Sequence, residues 1–172
     1  MKKDYYTWGK VERSCKEIAD QLKKDNFIPD YIVGITRGGA VPAIMLSNLL
    51  KIPMRPLEVS LRDSGVAVSA TDMAEDAAGY DEAEYCFVEE KRKKILIVDD
   101  INDSGATINW IKADWEKSIG KKFTDWGDVW HKNVKFATVT NNTASAATID
   151  YASVYINKLV NPCWVVFPWE DF

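Results

Sequence analysis

The chain has 172 residues, the length of one domain, and a formal net charge of −4. Hydrophobic residues make up 47% and charged residues 28%, which is typical of a soluble globular protein rather than a disordered or membrane-spanning one. An acidic chain binds nucleic-acid backbone poorly, so we expect neither a specific nucleic acid nor a membrane as partner. Three scattered cysteines and a single histidine argue against a zinc site, and this cysteine usage fits a cytoplasmic location.

The first part of the chain predicts helices that alternate with strands. An apolar stripe with helical spacing follows Thr7, which can cap the helix. The sequence YIVGIT at 31–36 predicts a short buried strand, and residues 40–51 predict a second helix. A weaker strand is predicted over residues 54–60, where Pro56 favours an edge position.

An acidic segment occupies residues 63–90, with nine Asp or Glu, no Lys or Arg, and no clear periodicity. Two interpretations are open. It is a solvated, mobile surface loop, or it belongs to a lid, spanning about residues 61–92, that closes over a ligand. The basic run at 91–94 is interpreted as flanking the next strand and offsetting the acidic charge.

The second part of the chain contains the strongest predicted strand, ILIVDD at 95–100, which is apolar as expected when helices cover both of its faces. A loop at 101–107 leads into another helix. Further strands are predicted over residues 134–140, 153–157 and 163–167. Strands alternating with helices predict an α/β fold with a parallel sheet.

The chemistry is concentrated where the strongest strand ends. Asp99 and Asp100 stand at the strand tip, where open α/β sheets bind ligands. Asp103 follows, and then the small residues 104–107 open a helix whose backbone N–H groups can hold a phosphate. Carboxylates suit diol hydroxyls or a hydrated Mg²⁺. The segment therefore predicts a ribose 5-phosphate site, and the alternative is an acidic turn in which Asp103 or Ser104 caps the helix.

Three blocks of sequence carry a family resemblance. The segment VDDINDSGAT at 98–107 resembles the phosphoribosyl-pyrophosphate (PRPP) binding motif of the type I phosphoribosyltransferases, with Ser104 in place of the usual threonine. The segment GITRGGAVP at 34–42 resembles the pyrophosphate loop of the bacterial xanthine-guanine and hypoxanthine branch. The segment WVVFPWE at 164–170 is similar to the purine-binding end of that branch.

The resemblance implies a fold and an activity. The fold would be a single domain over residues 1–172, with a parallel-sheet α/β core, a small C-terminal base-binding hood at about 151–172 and a mobile lid loop. The activity would be Mg²⁺-dependent transfer of phosphoribosyl from PRPP to a purine, by a homodimer or homotetramer. Two alternatives stay open: a non-catalytic regulator that binds a nucleotide or PRPP, and a phosphoribosyltransferase with a non-purine acceptor.

The resemblance also implies residue roles. Asp103 would be the catalytic base near the purine N7, while Asp99 and Asp100 would meet the ribose hydroxyls and Mg²⁺, directly or through water. The family often has a cis peptide bond in the pyrophosphate loop, expected here between Thr36 and Arg37. The other PRPP contacts are implied to come from Thr36, Arg37, Gly38, Gly39, Ser104, Gly105, Ala106 and Thr107.

The base-binding end follows from the same resemblance. Trp164 would stack on the base, unless it is a core tryptophan, and the backbone of Val165 would recognise the base edge. The lysine that contacts the 6-oxo group in the purine enzymes falls near Asn142 here, and an amide can donate or accept. The identity of the base is therefore open. Trp169 is interpreted as a packing residue, and core or subunit-interface positions are expected for Trp110, Trp115, Trp126 and Trp130.

Overall fold

The computed structural model describes residues 1–61 and 66–170. Its helices are α1 (Trp8–Lys24), α2 (Ala40–Leu50), α3 (Thr71–Ala78) and α4 (Ala106–Ile119). Its strands are β1 (Lys2–Tyr5), β2 (Tyr31–Thr36), β3 (Met54–Ser60), β4 (Val66–Ala67), β5 (Tyr80–Asp81), β6 (Cys86–Phe87), β7 (Ile95–Asn102), β8 (Val134–Asn142), β9 (Tyr151–Ile156) and β10 (Cys163–Val166).

A central sheet of six strands organises the molecule, in the order β4-β3-β2-β7-β8-β9. Every neighbouring pair is parallel except β3 and the two-residue β4, which run antiparallel. Pro56 lies on β3, next to the sheet edge, as its missing N–H group predicts. The predicted parallel α/β sheet is confirmed, and its order brings the carboxyl ends of β2, β7 and β8 side by side.

Helices cover both faces of the sheet. On β2 and β7, Ile32 and Leu96 are buried in one apolar cluster with residues of α1 and α2. Their neighbours Val33 and Ile97 are buried in the other cluster with residues of α3 and α4. Successive side chains of a strand alternate between faces, so strands buried on both sides read as continuous apolar runs. The central sheet therefore lies between two apolar clusters, and the single domain over residues 1–172 stays a prediction.

Helix α1 forms as its sequence predicts. The Thr7 hydroxyl accepts a hydrogen bond from the Lys10 N–H at 3.1 Å, which satisfies one of the unpaired donors of the first turn. The predicted apolar stripe is buried against the sheet. Its members are Val11, Cys15, Ile18, Ala19 and Leu22.

The acidic segment is not a loop over much of its length. Its Thr71–Ala78 stretch forms α3, and Met73, Ala74 and Ala77 are buried in the core that α4 shares. The interpretation of residues 61–92 as one mobile loop or lid is therefore wrong for α3. A short alanine-rich stripe carries little periodic signal, and packing against α4 stabilises this helix. Residues 62–65 of the proposed lid lie outside the described residues.

The basic run neutralises part of the acidic segment, as expected. The Lys93 ammonium lies 2.8 Å from the Asp76 carboxylate of α3. Arg55 of β3 pairs with Asp72 of the same helix. Acidic side chains of α3 therefore pair with basic side chains of the neighbouring segments.

The two ends of the chain pair with each other. Strand β1 runs parallel to β10, with Lys2 opposite Cys163 and Tyr5 opposite Val166. This pairing was not predicted because β1 has no partner nearby in the sequence. Strand β9 belongs to the central sheet, so the predicted hood boundary at about residue 151 is wrong. In the C-terminal part of the chain, only β10, which follows β9, belongs to the separate two-stranded layer.

The tryptophans of the 110–130 region belong to the core, as predicted. Trp115, Trp126 and Trp130 are buried, and the rings of Trp126 and Trp130 stack with centroids 4.9 Å apart. Trp110 packs against the same cluster. Within residues 1–61 and 66–170, no helix is long and apolar enough to cross a membrane. The cytoplasmic location and the homo-oligomer stay predictions.

Candidate active site

A cleft of about 500 Å³ opens at the carboxyl end of the central sheet. The loop after β2, the end of β7 and the first turn of α4 form its walls, and Trp169 and Glu170 reach it from the C-terminal segment. Trp169 also stacks on Phe167, with ring centroids 4.8 Å apart and planes 10° apart. Its predicted packing role is confirmed, although its ring also lines the cleft.

The paired acids of β7 lie in this cleft. The Asp99 carboxylate accepts a hydrogen bond from the Asp100 N–H at 2.9 Å, and the Asp100 carboxylate accepts one from the Ile101 N–H at 2.7 Å. The pKa of Asp100 is raised to about 6, mainly by burial and also by the nearby Glu170 charge, against the lowering effect of the hydrogen bond from the Ile101 N–H. Asp99, Asp100, Asp103 and Glu170 all line this cleft, and their carboxyl groups favour a cationic ligand.

The glycine loop after β2 packs directly on the acid pair. A Cβ atom at Gly38 would overlap the Asp100 carboxylate, and one at Gly39 would lie 2.8 Å from the Asp99 Cα. Only glycine allows the two segments to approach this closely. The peptide bond between Thr36 and Arg37 is cis, as expected. Arg37 lines the same cleft as the acids.

The small-residue loop forms the N-terminal end of α4. Gly105 precedes the helix with a φ of +87°, and a Cβ atom there would lie 2.6 Å from the Ala147 nitrogen. The Ser104 hydroxyl accepts a hydrogen bond from the Ala106 N–H at 3.3 Å. Residues 104–108 line the cleft, so the positive end of the helix dipole faces it.

A buried asparagine fixes this loop to the neighbouring strand. The Asn102 amide donates to the Asn141 side chain at 2.8 Å and to the Ala147 carbonyl at 3.1 Å. Its oxygen accepts from the Ser145 hydroxyl at 2.9 Å. The carboxyl ends of β7 and β8 are therefore joined at a buried polar network, which holds the loop rigid.

Asp103 forms an ion pair that the sequence did not indicate. Its carboxylate lies 3.0 Å from the Lys158 ammonium, with the two side chains only 20% and 18% exposed. The same ammonium lies 5.8 Å from the centroid of the Trp164 ring. Of the two residues expected to cap α4, Ser104 accepts a hydrogen bond from the first N–H group of the helix, while Asp103 pairs with Lys158.

The aromatic end of the site is accessible. Trp164 is 43% exposed, which excludes the interpretation as a core tryptophan. Val165 is buried in β10, where its neighbour across the two-stranded layer is Asp4. An exposed ring beside an ammonium–carboxylate pair offers both a stacking surface and polar groups for a planar ligand.

Asn142 occupies a different position from the one expected. Its side chain is buried, and its amide donates to the Asp103 carbonyl at 2.9 Å. Its oxygen accepts from the Lys158 N–H at 3.1 Å and from the Ala144 N–H at 3.2 Å. The Asn142 side chain is therefore hydrogen-bonded to the backbone of Asp103 and of Lys158, the two residues of the ion pair. This arrangement differs from the sequence-based interpretation, in which Asn142 contacts the base.

Two residues of the site were missed by the sequence analysis. Glu170 had only been noted as part of a motif, and Lys158 had no role at all. One signal could have indicated Lys158, because it is the only Lys or Arg after Lys135 in the chain. Its proximity to Asp103 could not be foreseen, since it depends on how β9 and the following turn pack.

Comparison with known proteins decides the family. A family model described as the phosphoribosyl transferase domain matches residues 1–170. The chain belongs to this family. It is therefore a phosphoribosyltransferase, as the resemblance predicted, and its parallel sheet is the fold of that family.

Relatives and solved structures agree with this membership. The hypoxanthine-guanine phosphoribosyltransferase of Saccharomyces cerevisiae is 25% identical over 192 residues, covering 98% of this chain and 86% of the relative. The xanthine-guanine phosphoribosyltransferase of Cereibacter sphaeroides is also 25% identical, covering 96% and 86%. The crystal structure of a purine phosphoribosyltransferase from Pyrococcus horikoshii superposes with a TM-score of 0.67 at 25% identity, covering 100% of this chain and 97% of that one.

The phosphoribosyltransferase cleft fits a hydrated Mg²⁺ better than a tightly caged metal. No cluster of three or more His, Cys, Asp or Glu ligands occurs within residues 1–61 and 66–170. Mg²⁺ usually keeps several waters and binds one or two carboxylates together with substrate phosphates. Asp99 and Asp100 line the cleft and supply the oxygen donors that Mg²⁺ would bind.

Proposed function

We propose that this phosphoribosyltransferase transfers the phosphoribosyl group from PRPP to a purine base, with Mg²⁺, and releases pyrophosphate and a nucleoside monophosphate. One observation carries the proposal: the acid pair, the α4 N-terminal loop and the Arg37–Gly38 loop line the same cleft. These three features match the diol, the 5′-phosphate and the pyrophosphate of PRPP. The purine comes from the names of the relatives.

The phosphate groups of PRPP are assigned to backbone-rich loops. The 5′-phosphate would bind residues 104–107, because small side chains expose the first-turn N–H groups of α4 and two hydroxyls donate beside them. The pyrophosphate would bind residues 36–39, where Arg37 adds a positive charge. Asp99 and Asp100 would bind the ribose hydroxyls and Mg²⁺.

Mg²⁺, when bound, supplies positive charge that stabilises the charge on the departing pyrophosphate. The remaining steps are the bond changes in the substrates and the transfer of a proton to the protein. The lone pair of the purine N9 forms a bond to ribose C1′, and the C1′–O bond breaks with its electrons on pyrophosphate. Asp103 accepts the proton that leaves the base at N7. The carboxylates of β7 favour the positive charge that develops on the ribose.

The base would be held by the aromatic end of the site. Trp164 is exposed and would stack on the purine face, while the backbone of Val165 would hydrogen-bond to its edge. The Asp103 carboxylate lies 3.0 Å from the Lys158 ammonium, which in turn lies 5.8 Å from the centroid of the Trp164 ring. The general base is thus close to the proposed stacking surface, a requirement for proton transfer from a bound base. A protein that only bound PRPP would not need this arrangement.

The experiment measures pyrophosphate release from PRPP and Mg²⁺ with guanine, xanthine, hypoxanthine, adenine, uracil and orotate in parallel. Release with at least one purine is the expected result. Release with uracil or orotate alone would replace the purine by another acceptor. No release with any base, while PRPP still raises the melting temperature, would make the protein a PRPP-binding regulator and overturn the proposal.

A further inference from the structure

Three titratable side chains that do not line the cleft form a continuous chain of hydrogen bonds. The Lys112 ammonium of α4 lies 3.0 Å from His131 Nε2, and His131 Nδ1 lies 3.0 Å from the Asp150 carboxylate. We propose that Lys112 is a modification site, which small acyl phosphates or acyl thioesters acylate faster than they acylate the other lysines. His131 is the base for this step, and Asp150 holds the imidazole. A nucleophile, a base and a residue that orients the base are the three parts of a catalytic triad.

One arrangement of protons satisfies this chain while the imidazole is neutral. An ammonium has donors and no acceptor, whereas an ionised carboxylate has acceptors only. His131 therefore accepts from Lys112 at Nε2 and donates from its Nδ1–H group to Asp150. This tautomer directs the Nε2 lone pair at the Lys112 ammonium, which is the position required of a base that removes its proton.

The backbone holds the base and its partner in place. The His131 N–H donates to the Val134 carbonyl at 2.8 Å, in a turn where His131 has a φ of +62°. This left-handed conformation is unfavourable for a non-glycine residue, so the turn must fix it. The Asp150 carboxylate also accepts from the Phe136 N–H at 2.8 Å. The imidazole and the carboxylate are therefore both fixed relative to the start of β8.

The surroundings of Lys112 favour its neutral amine. The Phe136 and Trp130 ring centroids lie 5.2 and 5.8 Å from its ammonium. Burial lowers the pKa of Lys112, and the charges of Asp150 and Glu116 oppose this change only in part. Because only the neutral amine of a lysine is nucleophilic, a lower pKa increases the reactive fraction at neutral pH.

The site is open to a small reagent. Lys112 is partly exposed, and the His131 side chain is 29% exposed. His131 Nε2 takes a proton from the Lys112 ammonium, and the amine lone pair then forms a bond to the acyl carbonyl carbon. The bond from that carbon to phosphate or thiolate breaks with its electrons on the leaving group, which takes the second amine proton. The imidazolium releases its proton to water, and Lys112 is left as an uncharged amide.

Two other lysines serve as matched controls. Lys135 also has its ammonium near an aromatic ring, 5.5 Å from the Tyr151 centroid, but its partner at 2.6 Å is the Asp25 carboxylate and not an imidazole. Lys117 is exposed on the same helix as Lys112. If aromatic packing or the position on α4 alone made a lysine reactive, these controls would react as fast as Lys112.

The test incubates the full chain with acetyl phosphate in one arm and acetyl coenzyme A in the other, and measures the acetylation rate of each lysine by mass spectrometry of chymotryptic peptides. Lys112 should react faster than Lys117 and Lys135 at neutral pH. His131→Asn keeps a residue type that tolerates a positive φ but removes the base, so the Lys112 rate should fall by about tenfold or more. Asp150→Asn should lower the same rate, and the Lys117 rate should not change in either variant.

The Lys117 rate and the melting temperature show whether each variant is folded, because unfolding would expose all lysines and make their rates similar. Faster acetylation of Lys112 in either arm, lost in His131→Asn, supports the inference and identifies the class of acyl donor. A wild-type Lys112 that reacts no faster than Lys117 in both arms overturns it. A Lys112 rate that is unchanged in the folded His131→Asn protein also overturns it, because the imidazole would then have no part in the step.

Discussion

The candidate site has two halves that are built differently: a phosphate half, proposed to bind PRPP, and a base half, proposed to bind the acceptor. The phosphate half consists of two short continuous segments, residues 34–39 and 99–107, in which closely packed glycines leave backbone groups next to the cleft. The base half brings together side chains from distant parts of the chain, namely Asp103, Asn142, Lys158 and Trp164. A phosphate accepts from any well-placed N–H group, whereas a base edge requires donors and acceptors in one fixed arrangement.

This contrast predicts that substitutions in the two halves will affect different substrates. Changes in the phosphate half should weaken PRPP binding whatever the base. Changes in the base half should alter base selection and leave PRPP binding intact. Asp103 stands at the boundary, since it belongs to the phosphate motif by sequence and pairs with Lys158 in space.

The largest effect is expected for Asp103→Asn. An amide cannot accept the N7 proton, so turnover should fall by about 100-fold or more. The PRPP affinity, measured by calorimetry, should stay nearly unchanged because the phosphate contacts remain. Unaltered turnover would show that Asp103 is not the general base, and a parallel loss of PRPP affinity would place it in the phosphate half.

Gly39→Ala should damage the phosphate half. The new Cβ atom would lie 2.8 Å from the Asp99 Cα and from the Ile35 carbonyl oxygen, and backbone atoms cannot move aside easily. We expect a loss of about 1–3 kcal/mol of unfolding free energy, with PRPP no longer raising the melting temperature.

Gly9→Ala is the matched control for that substitution. Its Cβ atom would meet only the Thr7 hydroxyl, at 3.9 Å, within the first turn of α1. This variant should be neutral or slightly more stable, because alanine favours helix more than glycine does. Equal melting temperatures for the two variants would contradict the close packing between the glycine loop and the acid pair.

The two buried asparagines offer a direct comparison of the halves. Asn102→Ala and Asn142→Ala each remove several hydrogen bonds and should cost about 1–3 kcal/mol of unfolding free energy. Asn102→Ala should raise the dissociation constant for PRPP, since Asn102 holds the α4 loop. Asn142→Ala should raise the KM of the base, since Asn142 joins the backbone of Asp103 to that of Lys158. Identical changes in both variants would remove the distinction between the halves.

The smallest effect is expected for the way in which the free energy of unfolding of the metal-free protein depends on pH. Burial raises the pKa of Asp100 to about 6 from an ordinary value near 4. The folded protein therefore holds this proton over a pH range in which the unfolded chain has lost it, so the free energy of unfolding falls as pH rises from about 4 to 6. Asp100→Asn removes this penalty and should be more stable than the wild type by about 1–2 kcal/mol at neutral pH.

Thermal melts in a chelator at several pH values measure this effect. The stability difference between Asp100→Asn and the wild type should shrink toward pH 4 and be largest above pH 6. Adding Mg²⁺ and PRPP should raise the melting temperature of the wild type more than that of the variant. A difference that does not depend on pH would show that the Asp100 carboxylate carries no such penalty.

Sequence reasoning succeeded where the relevant interactions are local. The predicted helix after Thr7 and the strand at 95–100 form because their caps, stripes and apolar runs are contained in adjacent residues. It failed for α3, whose short apolar stripe becomes helical by packing on α4. It also failed for β1, because strand pairing between the two ends of a chain leaves no trace in either segment alone.

The sequence by itself determined the parallel sheet, the acid pair at the end of β7 and the glycine loop beside it, because each depends on residue types in one continuous stretch. Only the tertiary structure decided which side chains lie beside Asp103 and Trp164. It placed Lys158 beside Asp103, and it directed the Asn142 side chain into hydrogen bonds with backbone groups. These contacts depend on how β8, β9 and the following turn pack together, and such distances arise from the whole fold rather than from any single segment.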